Sequence, residues 1–83
     1  MTTQGLRSFK ARKEIESSEL CGCYCCERMY VPETILDWVD NNLTAICPRC
    51  GIDSVVAYRP EEDGSIEIFK RKLAKWHLQS FGA

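Results

Sequence analysis

Two pairs of closely spaced cysteines and a few short apolar segments, in a chain of 83 residues, predict a small α+β domain stabilised by a metal ion. A chain of this length buries little apolar surface, so it forms one domain at most and needs another source of stability. Its six cysteines are the candidates. We expect two cysteine turns with an inserted helix, a β-hairpin and a C-terminal helix, as in zinc-ribbon or treble-clef-like domains.

The first 20 residues are expected to form a flexible N-terminal arm, and residues 21–83 a single zinc-binding domain. The arm is polar, with basic residues followed by glutamates and only isolated apolar residues, which is typical of a mobile segment or a marginal helix. Its basic part could contact an acidic partner, or the arm could be a solvated tail without a role.

Neither an export signal nor an apolar run long enough to cross a bilayer stands out in the sequence. We therefore expect a cytoplasmic protein that is not embedded in a membrane. Thiols stay reduced in the cytoplasm, so paired cysteines there indicate metal binding more often than disulfides.

The segment between the two cysteine turns, residues 31–42, predicts a short helix. Pro32 suits a first helical turn, where its missing N–H costs nothing, and Ile35 and Trp38 fall at helical spacing. Asn41 and Asn42 tolerate the left-handed conformation that ends a helix. This would be the inserted helix.

The segments on either side of the second cysteine turn predict two strands. Residues 43–51 read as a short strand that enters the turn, and residues 54–58 are rich in β-branched side chains and read as the strand that leaves it. We expect the two to pair as a β-hairpin. Residues 59–64 are expected to be a loop because of their proline, acidic residues and glycine.

The C-terminal segment predicts an amphipathic helix with Ser65 as its N-cap, ending near Ser80. Apolar residues recur there at steps of three and four: Ile66, Phe69, Leu73 and Trp76. The alternative is a hairpin strand over residues 65–69, because Ile66 and Ile68 alternate with polar neighbours.

The cysteine spacing predicts one structural Zn²⁺ per chain. Two ligands separated by two residues fit on one metal within one tight turn, and twenty residues separate the two pairs, as in Cys₄ zinc sites. In the second pair, Pro48 presets the turn and Gly51 can take a positive φ. The predicted ligands are Cys23, Cys26, Cys47 and Cys50. Four thiolates close the zinc shell, which favours a structural over a catalytic metal.

The first pair is less clearly defined than the second. Cys21 and Cys25 offer competing thiols, either as replacement ligands or as small buried residues without a role in the site. A redox use of the pair is disfavoured because the sequence lacks a βαβ pattern around it. His77 is the single histidine and has no ligand spacing around it, so we expect it on the helix and not on the metal.

The segment from Cys21 to Val56 also carries a recognisable pattern. Its residues are Cys21-Gly22-Cys23, Cys26, Arg28, Pro32, Ile35, Trp38, Thr44-Ala45, Cys47-Pro48 and Cys50-Gly51-Ile52-Asp53-Ser54-Val55. In this pattern the chain resembles a group of small, uncharacterised, zinc-ribbon-like cytoplasmic proteins of bacteria and phages. The resemblance implies a zinc ribbon followed by a helix with a Trp and a His, which correspond to Trp76 and His77. Cys25 stands where the group has an aromatic residue, and the group brings no established activity.

Three classes of function can be weighed from these residues. The first is a recognition module that binds a protein partner, such as a phage-type regulator of a host factor, because tyrosine and tryptophan side chains commonly anchor interfaces. The second is a nucleic-acid-binding zinc protein. Its candidate contacts are Arg49, Lys70, Arg71, Lys72 and Lys75. A solvated helix face explains the last four equally well, and a formal net charge of −1 provides no global attraction to nucleic acid.

The third class is an enzyme, and the sequence does not favour it. No paired carboxylates, no nucleophile with a neighbouring base and no phosphate-binding loop stand out, and no small-molecule substrate is indicated. We therefore expect a non-enzymatic protein whose first candidate partner is another protein.

Overall fold

The computed structural model describes residues 7–81. Its helices are Arg12–Ser17 (α1), Pro60–Asp63 (α2) and Ile66–Ser80 (α3). Its strands are Cys21–Cys23 (β1), Met29–Tyr30 (β2), Trp38–Val39 (β3), Thr44–Ala45 (β4) and Val55–Ala57 (β5), with a 3-10 turn at Pro32–Thr34. The chain is thus a small α+β protein. No helix in this described part is both long and apolar enough to pass through a membrane.

Strand β1 lies at the centre of a three-stranded antiparallel sheet with the order β2-β1-β5. Strands β3 and β4 form a separate antiparallel hairpin, in which Trp38 lies opposite Ala45. The strands predicted on either side of the second cysteine turn are therefore present as β4 and β5. The prediction that they pair with each other is wrong, because β5 pairs with β1 and β4 pairs with β3.

Side chains alternate between the two faces of the three-stranded sheet. One face carries Cys21, Cys23, Tyr30, Val55 and Ala57, and the other carries Gly22, Met29 and Val56. Helix α3 covers the second face, where Phe69 and Leu73 are fully buried. A Cβ on Gly22 would lie 2.7 Å from the Leu73 side chain, so a larger residue here would force that buried side chain to shift.

The first face is covered by α1 and by the segment with the β3-β4 hairpin. Ala11, Ile15, Ile35 and Ala45 are buried there with the cysteine side of the sheet. Ile15 is 0% exposed, and the Arg12 N–H donates to the Leu43 carbonyl at 2.9 Å. The prediction of a flexible arm over residues 1–20 is therefore corrected for residues 11–17, which pack against the rest of the chain. A helix this short needs few apolar residues to bury one face. Residues 1–6 lie outside the described part.

The inserted helix predicted over residues 31–42 is also corrected. Only Pro32–Thr34 is helical, and Ile35 is already extended, with φ −78° and ψ 121°. Asp40, Asn41 and Asn42 have φ values of 55°, 62° and 65°, and they reverse the chain into β4. The two asparagines thus take the left-handed conformation expected of them, but in a hairpin turn and not at a helix end.

The predicted C-terminal helix is confirmed, and the alternative of a hairpin strand over residues 65–69 is wrong. The Ser65 hydroxyl accepts a hydrogen bond from the Ile68 N–H at 3.3 Å, as an N-cap does, and the helix ends at Ser80. The loop predicted over residues 59–64 contains the short helix α2, with Pro60 at its first position.

Candidate metal centre

Four cysteine sulfurs come together between the sheet and the hairpin. They belong to Cys23, Cys26, Cys47 and Cys50, and all lie within 4.8 Å of one another. Cys23 ends β1, Cys26 lies in the turn to β2, and the other two lie in the connection from β4 to β5. The folding of the chain therefore unites two turns that are far apart in sequence.

The separations of the sulfurs fit a tetrahedral metal ion. The Cys23 and Cys50 sulfurs are 3.6 Å apart, and those of Cys26 and Cys47 are 3.7 Å apart. Ligands at about 2.3 Å from a central ion are about 3.8 Å apart in a tetrahedron. A disulfide needs about 2.05 Å, and these cysteines are free thiols. The four predicted ligands could therefore bind a metal ion together.

The two cysteine turns have the same backbone hydrogen bonds to sulfur. The Cys25 N–H donates to the Cys23 sulfur and the Arg49 N–H donates to the Cys47 sulfur, both at 3.3 Å. These bonds stabilise the thiolate form that a metal requires. In both turns, the backbone N–H two residues after the first cysteine thus points at the sulfur of that cysteine.

The residue after each second cysteine takes the left-handed conformation. Gly51 has φ 77°, as expected from the sequence, and Glu27 at the equivalent position has φ 61°. The Glu27 N–H donates to the Cys23 carbonyl at 2.7 Å, and the Gly51 N–H donates to the Cys47 carbonyl at 2.9 Å. The first turn has a glutamate where the second has a glycine, yet the backbone of the two turns matches.

The two competing thiols lie outside this group. Cys21 shares a sheet face with Cys23, but two residues along a strand separate them by about 7 Å. Its thiol donates to the Tyr30 carbonyl at 3.3 Å, and burial raises its pKa to about 12. Cys25 is half-buried and directs its backbone N–H at the Cys23 sulfur. From the first cysteine cluster, the group of four sulfurs thus contains Cys23 and Cys26.

His77 positions the first turn from the side of helix α3. Its Nδ1 lies 3.1 Å from the carbonyl oxygen of Tyr24, the residue that follows the first ligand. The Tyr24 ring packs edge-on against Trp76, with 6.4 Å between the ring centroids. His77 is not among the residues grouped around the four sulfurs.

Electrostatics distinguish one of the four thiols. Burial raises the pKa values of Cys23, Cys26 and Cys50 to about 11 each. Burial also acts to raise the pKa of Cys47, but interactions with the Tyr30 hydroxyl and with backbone N–H groups outweigh it and lower that pKa to about 7. Thiolates crowded in this way require a cation to compensate their charge.

Two polar residues that support the sulfurs were not identified from the sequence. Ser54 is 2% exposed, and its hydroxyl lies 3.2 Å from the Cys23 sulfur. The Tyr30 hydroxyl is buried without a hydrogen bond of ordinary geometry in the described structure, and its polar interaction is with the Cys47 sulfur. Burial, followed by this sulfur, raises the Tyr30 pKa far above its ordinary value. A thiolate beside it would accept the hydrogen bond that it lacks.

The five basic residues proposed as partner contacts separate into three groups. Arg49 and Lys70 line one groove of about 560 Å³ beside the second cysteine turn, and Arg28 joins them there. Arg71 and Lys75 are exposed on α3 and do not line the groove. The sequence had not singled out Arg28 as a contact residue.

Lys72 belongs to a structural network and not to a free basic face. Its ammonium group lies 3.0 Å from the Asp63 carboxylate and donates to the Glu62 carbonyl. Asp63 has a fully buried side chain that also accepts from Arg7 at 3.0 Å and from the Arg59 N–H at 2.8 Å. Burial acts to raise the Asp63 pKa, but these bonds outweigh it and lower that pKa below its ordinary value. The network joins α2 to α3.

Comparison of the chain with protein-family models, curated proteins and solved structures gives no match. The resemblance to zinc-ribbon-like bacterial and phage proteins therefore stays a prediction. The features of the described structure that bear on function are the four sulfurs, the groove beside them and the residues that support both.

Proposed function

We propose that the chain is a zinc-binding recognition module, in which one structural Zn²⁺ holds a surface that binds a protein partner. The observation that supports it most is the matched geometry of the two cysteine turns around four sulfurs at tetrahedral spacing. Zinc is our choice because structural zinc commonly takes four thiolates in paired C-x-x-C turns.

A structural role for the metal follows from its ligand set. Four thiolates leave no position for a reacting water, whereas catalytic zinc keeps one open. The chain also has little apolar surface to bury, so the free energy of metal binding would supply much of its folding free energy. The zinc would therefore act as part of the core.

A zinc-ribbon-like arrangement is favoured over a treble clef. The first cysteine pair begins with the last residue of β1 and the second lies in the β4-β5 connection, so both turns lead from one strand to another. Neither pair lies at the start of a helix, and α3 packs on the opposite face of the sheet.

A nucleic-acid-binding zinc protein is the second candidate, supported by the grouping of Arg28, Arg49 and Lys70 in one groove. Protein binding is preferred because Lys72 is engaged with Asp63 and because the chain carries a net charge of −1. Nucleic-acid affinity depends on many phosphate contacts and falls steeply with salt. A gel-shift series at low salt separates the two candidates, and we expect no shift.

The zinc assignment is tested by metal analysis together with two cysteine variants. We expect one zinc per chain, and we expect Cys47→Ser to lose both zinc and fold, since metal binding and folding are linked. Cys25→Ser is the matched control, because Cys25 neighbours the ligands without belonging to them. A folded chain without metal, or bound iron in place of zinc, would refute the assignment.

A further inference from the structure

We infer that the groove beside the second cysteine turn binds an extended, acidic peptide segment of a protein partner, added as a strand along the edge of β2. This inference rests on the proposed function, because it names the chemistry of the partner for the same module. It is supported by the charge of the groove, its apolar floor and the open edge of β2.

The groove concentrates positive charge in a chain that is slightly acidic overall. Arg28, Arg49 and Lys70 line it with a single acidic residue, Glu27. Within residues 7–81, none of the three basic groups forms an ion pair, whereas Arg7, Arg12, Arg59 and Lys72 all do. Three unpaired cations around one concave surface favour an anionic ligand.

These cations do not serve the thiolates directly. In the described structure, the bonds from residues 28 and 49 to sulfur come from backbone N–H groups, and no guanidinium donates to any of the four sulfurs. The side chains of Arg28 and Arg49 are exposed and line the groove. They are therefore available to a partner.

The floor of the groove suits a peptide better than a nucleic acid. Met29 and Pro48 supply apolar surface, and the Tyr30 hydroxyl is buried toward the metal centre. Single-stranded nucleic acids are usually bound by exposed aromatic rings on which bases stack. A volume of about 560 Å³ lies within the range of sites that hold small ligands, which is enough for a few peptide side chains.

Strand β2 offers backbone groups for a further strand. The Cys23 N–H donates to the Arg28 carbonyl at 2.9 Å, and Gly22 lies opposite Met29. In an antiparallel pair, the intervening residue directs its N–H and C=O away from the partner strand. The N–H and C=O groups of Met29 therefore point outward from the sheet edge, where the backbone of an extended peptide can pair with them.

The test is a selection of peptides on the zinc-loaded full chain. A random library of twelve-residue peptides displayed on phage is the probe, and enriched peptides are then synthesised and titrated by fluorescence anisotropy. We expect enrichment of acidic peptides with alternating polar and apolar residues. Hydrogen exchange at the Met29 amide should slow on binding, because a paired amide is protected from solvent.

Matched charge reversals locate the binding surface. The double variant Arg49→Glu with Lys70→Glu should weaken peptide binding about tenfold or more, and Arg71→Glu with Lys75→Glu should change it by less than about twofold. Zinc content and circular dichroism of both variants should equal those of the unmodified chain, so that a loss of binding reports on the groove.

Several results would overturn the inference. They are the absence of enriched peptides, enrichment without acidic residues, equal loss in both double variants, and binding of an oligonucleotide in preference to the peptides. A metal-free chain that is folded and binds the acidic peptides unchanged would instead refute the structural role of zinc while supporting the groove.

Discussion

The first cysteine turn lies beneath helix α3, whereas the second projects from the surface of the molecule. Tyr24 in the first turn is 7% exposed, and its carbonyl lies within hydrogen-bond distance of His77 on α3. Pro48, Arg49 and Cys50 in the second turn are all exposed. The backbone geometry is shared, but the surroundings are not.

The two cysteine turns are therefore held in place by different interactions. The first turn is held by the sheet and the helix, since the Tyr24 N–H donates to the Ser54 carbonyl at 3.1 Å and its ring packs on Trp76. The second turn has its own backbone bonds and the interaction of Cys47 with Tyr30, and the proposed metal ion would hold it further. Its order should therefore depend more on the proposed metal ion, and its exposed tip is accessible to the proposed partner.

The largest expected difference is between replacement of a buried cysteine of the first turn and replacement of an exposed cysteine of the second. Cys23→Ser places an unsuitable ligand at a fully buried position, so we expect loss of metal and unfolding. The free energy of metal binding at such sites, about 10–16 kcal/mol, exceeds the free energy of unfolding of a small domain. Cys50→Ser changes an exposed position where water can complete the shell, so we expect a folded chain with weakened metal affinity. Circular dichroism with and without added zinc measures both.

Equal and complete unfolding of both variants would contradict this comparison. It would mean that the exposure of a cysteine does not decide whether the fold tolerates its replacement. Cys21→Ser provides a control for the loss of a buried thiol from the same strand, and it should retain the metal because Cys21 lies outside the group of four sulfurs.

A smaller effect is expected from the residue that connects the two turns. Tyr30 lies on β2, next to the first turn, and its buried hydroxyl interacts with Cys47 of the second. Tyr30→Phe keeps the ring and removes that interaction, so metal affinity should fall about tenfold, as for other residues that support metal ligands. Competition with a zinc chelator measures the change. Tyr58→Phe is the control, because the Tyr58 hydroxyl donates to the Gly64 carbonyl, away from the sulfurs.

The grouping of the four sulfurs was predictable because much of its information is local. A C-x-x-C pair determines a turn by itself, and Ser65 before a run of apolar residues determines the start of a helix by itself. The structure agrees with the sequence on both. The match between Glu27 and Gly51 was not predictable, because a left-handed glutamate has no sequence signal and depends on the bonds around it.

The errors came from features decided by distant contacts. Residues 43–51 and 54–58 read as neighbouring strands, but the partner of β5 is β1, more than thirty residues earlier in the chain. The same pairing puts Ser54 beside the Cys23 sulfur, so its role could not be seen in the sequence. Ile35 and Trp38 fit helical spacing, yet the turn at residues 40–42 and pairing with β4 make this segment extended.

The smallest expected effects on stability concern the two residues in the left-handed conformation, Glu27 and Gly51. Glu27 has φ 61°, and a side chain in this conformation costs about 1–2 kcal/mol of strain. Glycine relieves this strain but also has greater freedom in the unfolded chain, so Glu27→Gly should stabilise the protein by roughly 0.5–1 kcal/mol. Gly51→Ala should destabilise it by about 1 kcal/mol or more. Nothing lies within 4 Å of the added Cβ, so that loss would report backbone strain alone. Urea unfolding of the zinc-loaded chain measures both changes. If Glu27→Gly destabilises instead, the glutamate side chain makes an interaction that offsets its strain, and the two turns differ in more than their surroundings.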